Sequence, residues 1–586
     1  MRLGHWWALR QGPFVAFPIM DSAAYLEWGR AIAAGDWLGQ GEFFLAPLYP
    51  YVLAVMLVLG GSVDTVYLAQ ITAAVLGLLA LYRAGSRLES ARIGLLAAAL
   101  AALCGPLVFH DVLLVKESFA ASLTAGLLAT LLRPDLEIRL RPWLLAGTIW
   151  GLVGLLRENA ILLLPFLAGA IWVRRPRPRP FLGALGALLA GYALVALPFV
   201  ARSLAVTGSP FPTFNAGFNL YIGNNPRATG TYQPIVPGKT LPEAEGREPV
   251  RVASELVGRK LTPGQASRYW TGRSLAWMVE EPRAFLRLQA RKLGLYWRFY
   301  EWPDSVDYYW AREESPALRL AFVELGGLAL LAAGALWVLR SRLRPWAPVL
   351  LLVVGWTAAT VAFFVFSRFR VPMLPALCLL AAVPVERTLV AFRAGRHRAA
   401  VVGAALVTLA LLFPHALGHE PDRNLVAYNL AGVLAETGDL EGAQQAYLEA
   451  LAAAPDDFTV ILRLGDLALG QGRLPEAAAW YERATRARPE ADDPWAQYGR
   501  VLALQGQVTL ASQTLERALA LNPENITALY GQAHLALLGR DVPRAEALRH
   551  HIAEIAPDHA AVRLLDRLLR ETKARTPGPP EAETEE

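Results

Sequence analysis

Residues 181–203 read FLGALGALLAGYALVALPFVARS, with no charged side chain before Arg202. A helix of about 20 apolar residues crosses the hydrocarbon of a bilayer. Working outward, nine more runs have this character: 64–84, 93–109, 113–132, 142–156, 158–173, 318–339, 346–366, 371–390 and 399–414. The run 47–60, PLYPYVLAVMLVLG, is shorter and carries two prolines, so it reads as an interfacial or re-entrant helix. Ten spans make a polytopic helical membrane domain over 1–415.

Composition agrees. Of 586 residues, 54% are apolar and only 18% charged, and the mean hydropathy is +0.33. Soluble chains carry about 25% charged residues. This excludes a disordered regulator, a disulfide-stapled secreted module and an ordinary soluble enzyme. The two cysteines are too few for a zinc cluster. The net charge of +6 is read as an orientation signal between spans rather than as nucleic-acid binding.

Arginines crowd alternate connections: Arg83, Arg87 and Arg92; Arg133, Arg139 and Arg141; Arg174, Arg175, Arg177 and Arg179; Arg340, Arg342 and Arg344; Arg393, Arg396 and Arg398. The positive-inside rule makes these five cytoplasmic. The outer loops are then 21–60 and 204–316, and the region after 415 also faces outward. The first 20 residues hold only QGPFVAFPIM as an apolar stretch, too short to span, which suggests a further span upstream of this start.

The C-terminal region has a 34-residue period. Pro455, Pro489, Pro523 and Pro557 share it, as do Ala443, Ala477, Ala511 and Ala545. So do Gly438, Gly472 and Gly506; Gly465, Gly499 and Ala533; and Ala450, Ala484 and Ala518. Small residues where two helices touch, with proline after the second, are the tetratricopeptide signature. Residues 423–572 are therefore an α-solenoid whose groove fits a protein or peptide partner. Residues 573–586 form an acidic tail of disordered composition. The fold class is all-α throughout.

Chemistry concentrates at the outer ends of the spans. Asp21 opens an amphipathic stretch with Tyr25, Trp28 and Ile32 at helical spacing. The plain reading is an aromatic interfacial helix; the sharper one is a general base at the membrane surface. His110-Asp111 occupies an outer turn, with Lys116-Glu117 just inside the next span. Ionisable groups at such depth are functional candidates. Lys116 and Glu117 are adjacent and so need separate partners. Arg157, beside Glu158, and the pair Arg368 and Arg370 stand at outer turns. Such arginines either reach lipid headgroups or bind phosphate through a planar, always charged fork. No His and carboxylate cluster has ligand spacing, so no metal site is expected. The stretch 278–300 reads as a basic-aromatic helix on the membrane, either a plain surface helix or a lid.

The series Asp21-x-x-x-Tyr25, Gly35-Asp36-Trp37 and Pro47-Leu48-Tyr49-Pro50 resembles the first outer loop of the GT-C membrane glycosyltransferases. It is most similar to bacterial relatives of the dolichyl-phosphate-mannose protein mannosyltransferases and to the aminoarabinose transferase of lipid A. GLLRENAILLLPF (154–166), the segment 198–232 and SRFRVPMLPAL (367–377) resemble further parts of that group. The aminoarabinose transferases carry a Lys before this turn; here the position is Ala46. The resemblance implies a polyprenyl-phosphate sugar donor, an extracytoplasmic hydroxyl acceptor on protein, lipid or glycan, and inverting transfer. Asp21 takes the base position. Tyr25, Tyr49, Asp111, Lys116, Glu117, Arg157, Arg368 and Arg370 are candidates for donor or acceptor binding. No cofactor is implied beyond the lipid-linked donor, although some GT-C relatives use a divalent metal. The expected location is the bacterial inner membrane, with the site and the repeats extracytoplasmic.

Two rival readings remain at this level. A non-enzymatic scaffold would use the spans only to anchor the repeats. An O-antigen-ligase-like protein would also combine many spans, an outer loop and repeats, but it would carry His in its large loop, and 204–316 has none.

Overall fold

The computed structural model describes residues 1–39, 43–175, 177–235, 242–556 and 559–575, except for the side chains of 242–244, 574 and 575. Most of the acidic tail, 576–586, and Pro557 lie outside the described residues. The chain divides into two compact units, Met1–Asp422 and Arg423–Glu586. Both are helical, and among the described residues extended pairing is limited to two isolated bridges, Phe43 with Thr213 and Cys104 with Val323.

Five described helices of the first unit are long and apolar enough to cross a membrane: Val63–Leu88, Pro178–Thr207, Arg344–Val361, Ser367–Arg393 and His397–Ala416. The other five expected spans are shorter, namely Ala91–Ala102, Glu117–Leu131, Arg141–Leu156, Leu164–Arg174 and Leu325–Leu339. The shortening has a local cause. Gly105 N donates to Val323 O (2.9 Å) and Val323 N to Leu103 O (3.0 Å). This bridge ends one helix and delays the start of another. Glu158–Leu163 and Ser367–Met373 are 3₁₀ turns feeding α-helices. Irregular backbone at such depth is tolerated where protein buries it or where it lines a cavity.

Small residues let the helices approach closely. Gly147 and Gly151 form a G-x-x-x-G face on Arg141–Leu156. A Cβ at Gly147 would sit 1.9 Å from Leu188 O, and one at Gly191 would sit 2.0 Å from Leu144 O. Backbone therefore packs on backbone, as it does in membrane helix pairs without a hydrophobic driving force. The 47–60 run forms the helix Leu48–Gly60. It packs against Asp21–Ala33, where a Cβ at Gly29 would meet Leu53 Cβ at 2.8 Å.

The loop 204–316 is itself helical: Ala216–Gly223, Pro242–Val257, Pro263–Glu280, Pro282–Tyr296 and Tyr308–Glu314. The expected basic-aromatic helix 278–300 is interrupted at Glu281, before Pro282, because the residue preceding proline is driven out of the helical region. Phe218, Ala253, Leu261, Ala266 and Trp270 give the loop a small core. Asn224 Nδ2 ties it to the spans by donating to Ala362 O (2.9 Å).

The second unit stacks four helix pairs and a ninth helix: Arg423–Thr437, Leu440–Ala453, Phe458–Gly470, Leu474–Ala487, Asp492–Leu504, Val508–Leu521, Ile526–Leu538, Val542–Ile555 and Ala560–Arg575. The periodic alanines 443, 477, 511 and 545 are fully buried. A Cβ at Gly465 would strike the Tyr481 ring, and one at Gly499 would strike Leu515. Gly438, Gly472 and Gly506 adopt φ of 89°, 73° and 75°. The fourth member of that register is Arg540, at φ 59°. A side chain there costs about 1–2 kcal/mol relative to glycine. Arg540→Gly should therefore slow amide exchange across 535–545 in the full chain. Unchanged or faster exchange would show that the turn holds no strain.

Candidate functional site

Asp21 is the first residue of its helix, placed by Met20 at φ 52°. Its carboxylate faces a cavity of about 400 Å³. The charged part of its lining comprises Asp21, Lys116, Arg157, Glu158, Glu245, Asp304 and Arg368. The remainder is largely apolar, with Ile161, Leu162, Phe363, Phe364, Phe366 and Phe369. Asn159, Asn215, Asn219 and Thr360 add neutral polar groups.

Arg368 links two of these carboxylates. Its Nη1 lies 2.8 Å from Asp21 Oδ2 and 2.8 Å from Asp304 Oδ2. Burial raises the Asp304 carboxyl above its ordinary range; Arg368 counters this and Asp21 adds to it.

Arg157 supports Arg368 from behind. Its Nη2 donates to Arg368 O (2.8 Å) and lies 2.5 Å from Glu117 Oε1. Its guanidinium also sits 4.6 Å from the centre of the Phe369 ring. Glu117 is completely buried, so the partner it required as Lys116's neighbour is Arg157. The ion pair of Arg157 is thus with Glu117 rather than with Glu158. Lys116 turns the other way and lines the cavity, its Nζ 5.7 Å from the Tyr25 ring centre.

The other candidates lie outside the cavity lining. Tyr25, one turn after Asp21, is buried and packs edge-on against Tyr49 at 5.0 Å. Tyr49 OH donates to Gln70 Oε1 (2.6 Å), and Gln70 Nε2 donates to Asp111 O (3.1 Å) and Leu113 O (2.8 Å). Asp111 accepts hydrogen bonds from Arg2 Nε (2.6 Å) and from Ser118 Oγ. Arg370 is buried, and its terminal nitrogens donate to Arg298 O and Tyr300 O (2.8 Å each), Glu301 Oε2 and Ser367 Oγ (2.7 Å each). These groups brace the loops around the site. The structure thus brings Asp21, Lys116, Arg157 and Arg368 together and sets Tyr49, Asp111 and Arg370 apart from them.

Sequence reading missed Asp304, Glu245 and Tyr232. They lie in a long loop with many acidic residues and no periodicity to single them out. Tyr232 OH donates to Glu245 Oε1. Burial raises the Glu245 carboxyl to about 7; the bond from Tyr232 opposes the shift, and Asp21 and Asp304 reinforce it.

Residues 45–201 match the family model described as dolichyl-phosphate-mannose-protein mannosyltransferase. The match supports a membrane glycosyltransferase of the GT-C type. It includes Lys116, Arg157 and Glu158 of the cavity but not Asp21, Asp304 or Arg368. Residues 428–492 and 497–560 match the tetratricopeptide repeat model, which supports a partner-binding domain.

Among the similar solved structures are tetratricopeptide repeat proteins. YrrB, a TPR protein with an unusual peptide-binding site, is 25% identical over 25% of this chain and 76% of its own, with a TM-score of 0.22. TTC0263, a thermophilic TPR protein of Thermus thermophilus, is 22% identical over 32% of this chain and 98% of its own, with a TM-score of 0.23. A tetratricopeptide repeat protein of Parabacteroides merdae is 17% identical over 33% of this chain and 75% of its own, with a TM-score of 0.24. No curated protein matches the chain.

The folded pKa of the Glu245 carboxyl, about 7, lies above the ordinary Glu value of about 4.3. The folded chain then binds the extra proton, so this contribution to stability is full below about pH 4 and is lost as pH rises through about 7. The melting temperature of purified protein should fall between about pH 5 and 8, and Glu245→Gln should flatten that fall. An identical pH slope in the variant would refute the assignment.

Proposed function

We propose that the first unit transfers a sugar from a polyprenyl phosphate to a hydroxyl acceptor, with inversion at the anomeric carbon. The observation that carries this reading is one cavity lined both by an apolar, phenylalanine-rich wall and by a cluster of cations and carboxylates. An isoprenoid chain suits the phenylalanine wall with Ile161 and Leu162, while a phosphate suits the lining cations Lys116, Arg157 and Arg368. Neutral lining groups such as Asn159, Asn215 and Asn219 suit a sugar's hydroxyls.

In this reading the Asp21 carboxylate accepts the acceptor's proton as its oxygen attacks the anomeric carbon. The bond from that carbon to the phosphate oxygen breaks, and the electron pair leaves on the phosphate. Guanidinium and ammonium groups stabilise the charge that develops there. Arg368 already holds Asp21 and Asp304, so donor phosphate would share or displace one of these carboxylates. The scaffold reading gives no reason for three cations and four carboxylates to line one otherwise largely apolar cavity. The chain would lie in a bacterial inner membrane with the cavity and the repeats extracytoplasmic, and the repeats would hold a protein partner or acceptor.

The direct test is transfer by purified protein from a panel of polyprenyl-phosphate sugars. Asp21→Asn should lower the rate by about a hundredfold or more while leaving the melting temperature within a few degrees. Retained transfer would remove Asp21 from the base position. Transfer should also persist in EDTA; loss that is restored by a divalent ion would place a metal at the phosphate instead. Protease added to intact spheroplasts should cleave the repeats, and protection would reverse the proposed orientation.

A further inference from the structure

The helix Pro282–Tyr296 has three distinct faces. Leu288, Lys292 and Tyr296 form the buried one. Lys292 Nζ donates to Val361 O (3.2 Å) and to Asn224 Oδ1 (2.8 Å). Tyr296 OH donates to Met373 Sδ (3.3 Å). Arg370 Nη1 holds Tyr296 O (3.2 Å) and Arg298 O (2.8 Å). Val361 closes one apolar helix, and Met373 immediately precedes Leu374, where the next α-helix begins. Both anchors therefore mark the level at which two membrane-crossing segments turn round. The helix is therefore fastened where one apolar helix ends and the next begins.

The opposite side is exposed and divided lengthwise. Leu286 and Leu293, seven residues apart, are 65% and 47% exposed and form an apolar strip. Arg283, Arg287 and Arg291, at successive spacings of four, form an adjoining exposed basic strip. No ion pair among the described residues engages these three arginines. Glu280 and Glu281 lie before the helix, at its N-terminal end.

We propose that this side of Pro282–Tyr296 is a docking face for the anionic phospholipid headgroups of the membrane that holds the chain. Leu286 and Leu293 enter the acyl boundary, while the three guanidiniums, stationed beside them, pair with headgroup phosphates. An apolar strip flanked by arginines is the arrangement by which amphipathic helices bind anionic interfaces, and each arginine adds to the attraction near the surface. Lys292 on the buried side then transmits this anchorage to Asn224 and to the chain that leaves Val361 to form the Phe363–Phe369 wall. The inference is independent of the sugar-transfer reading, because its readout is lipid contact and not turnover.

The test uses the full-length protein in nanodiscs of phosphatidylcholine with an increasing fraction of phosphatidylglycerol. Both native cysteines are buried, so an environment-sensitive fluorophore can be placed at Leu286→Cys. Its emission should shift to the blue as phosphatidylglycerol rises. In Arg283→Gln/Arg287→Gln/Arg291→Gln the midpoint should move to a clearly higher phosphatidylglycerol fraction, or the blue shift should be lost. Emission indifferent to phosphatidylglycerol, or an equal midpoint in the triple variant, would overturn the proposal. Should the variant fail to fold, hydrogen exchange of the wild-type 283–293 segment decides. Slower exchange in phosphatidylglycerol nanodiscs than in pure phosphatidylcholine supports the docking face, and equal exchange overturns it.

Discussion

Arg368 joins three parts of the chain that lie far apart in sequence. One guanidinium nitrogen meets Asp21 from the N-terminal segment and Asp304 from the large loop, while the residue itself belongs to a late 3₁₀ turn. Removing three charges from water is costly, and their mutual attraction repays it only when geometry is good. Two carboxylates could not share this place without the cation between them. The same cation would be mispositioned without Arg157, which holds its backbone carbonyl, or without Glu117, which fixes Arg157. Asp21, Asp304, Arg368, Arg157 and Glu117 therefore form one linked electrostatic unit beside the cavity.

That unit explains why the membrane domain is less regular than its hydropathy suggests. Ten uninterrupted spans would have kept every polar group on helix surfaces. Instead the backbone breaks at Cys104, at Glu158–Leu163 and at Ser367–Met373. The last two breaks carry Glu158 and Arg368 directly to the cavity, with Arg157 immediately before the first of them. Glycine contacts such as Gly147 on Leu188 keep neighbouring helices close, and so hold a frame around the irregular segments.

Much of this was legible in advance. The 34-residue period located the repeats because each repeat buries its small residues against the next, and such a demand leaves a trace at fixed spacing. The apolar runs marked the membrane unit for a similar reason, since hydrocarbon imposes length and composition on any segment inside it. Asp21, Lys116, Arg157 and Arg368 could be singled out because charge at a span end is rare enough to notice. Asp304 and Glu245 could not, because in a hydrated loop one acidic residue looks like any other. Nor could the sequence separate Arg368 from Arg370. Both are arginines two residues apart, yet one faces a cavity and the other donates to the carbonyls that close the neighbouring loop.

The sequence alone determined which segments are membrane-like, which are repeats, and which charged residues stand where charge is expensive, because those properties follow from local composition and period. Tertiary structure alone decided which of those charges meet. Pairing across 347 residues depends on how helices pack and where their backbones break, and no local pattern encodes a distance between residues so far apart along the chain.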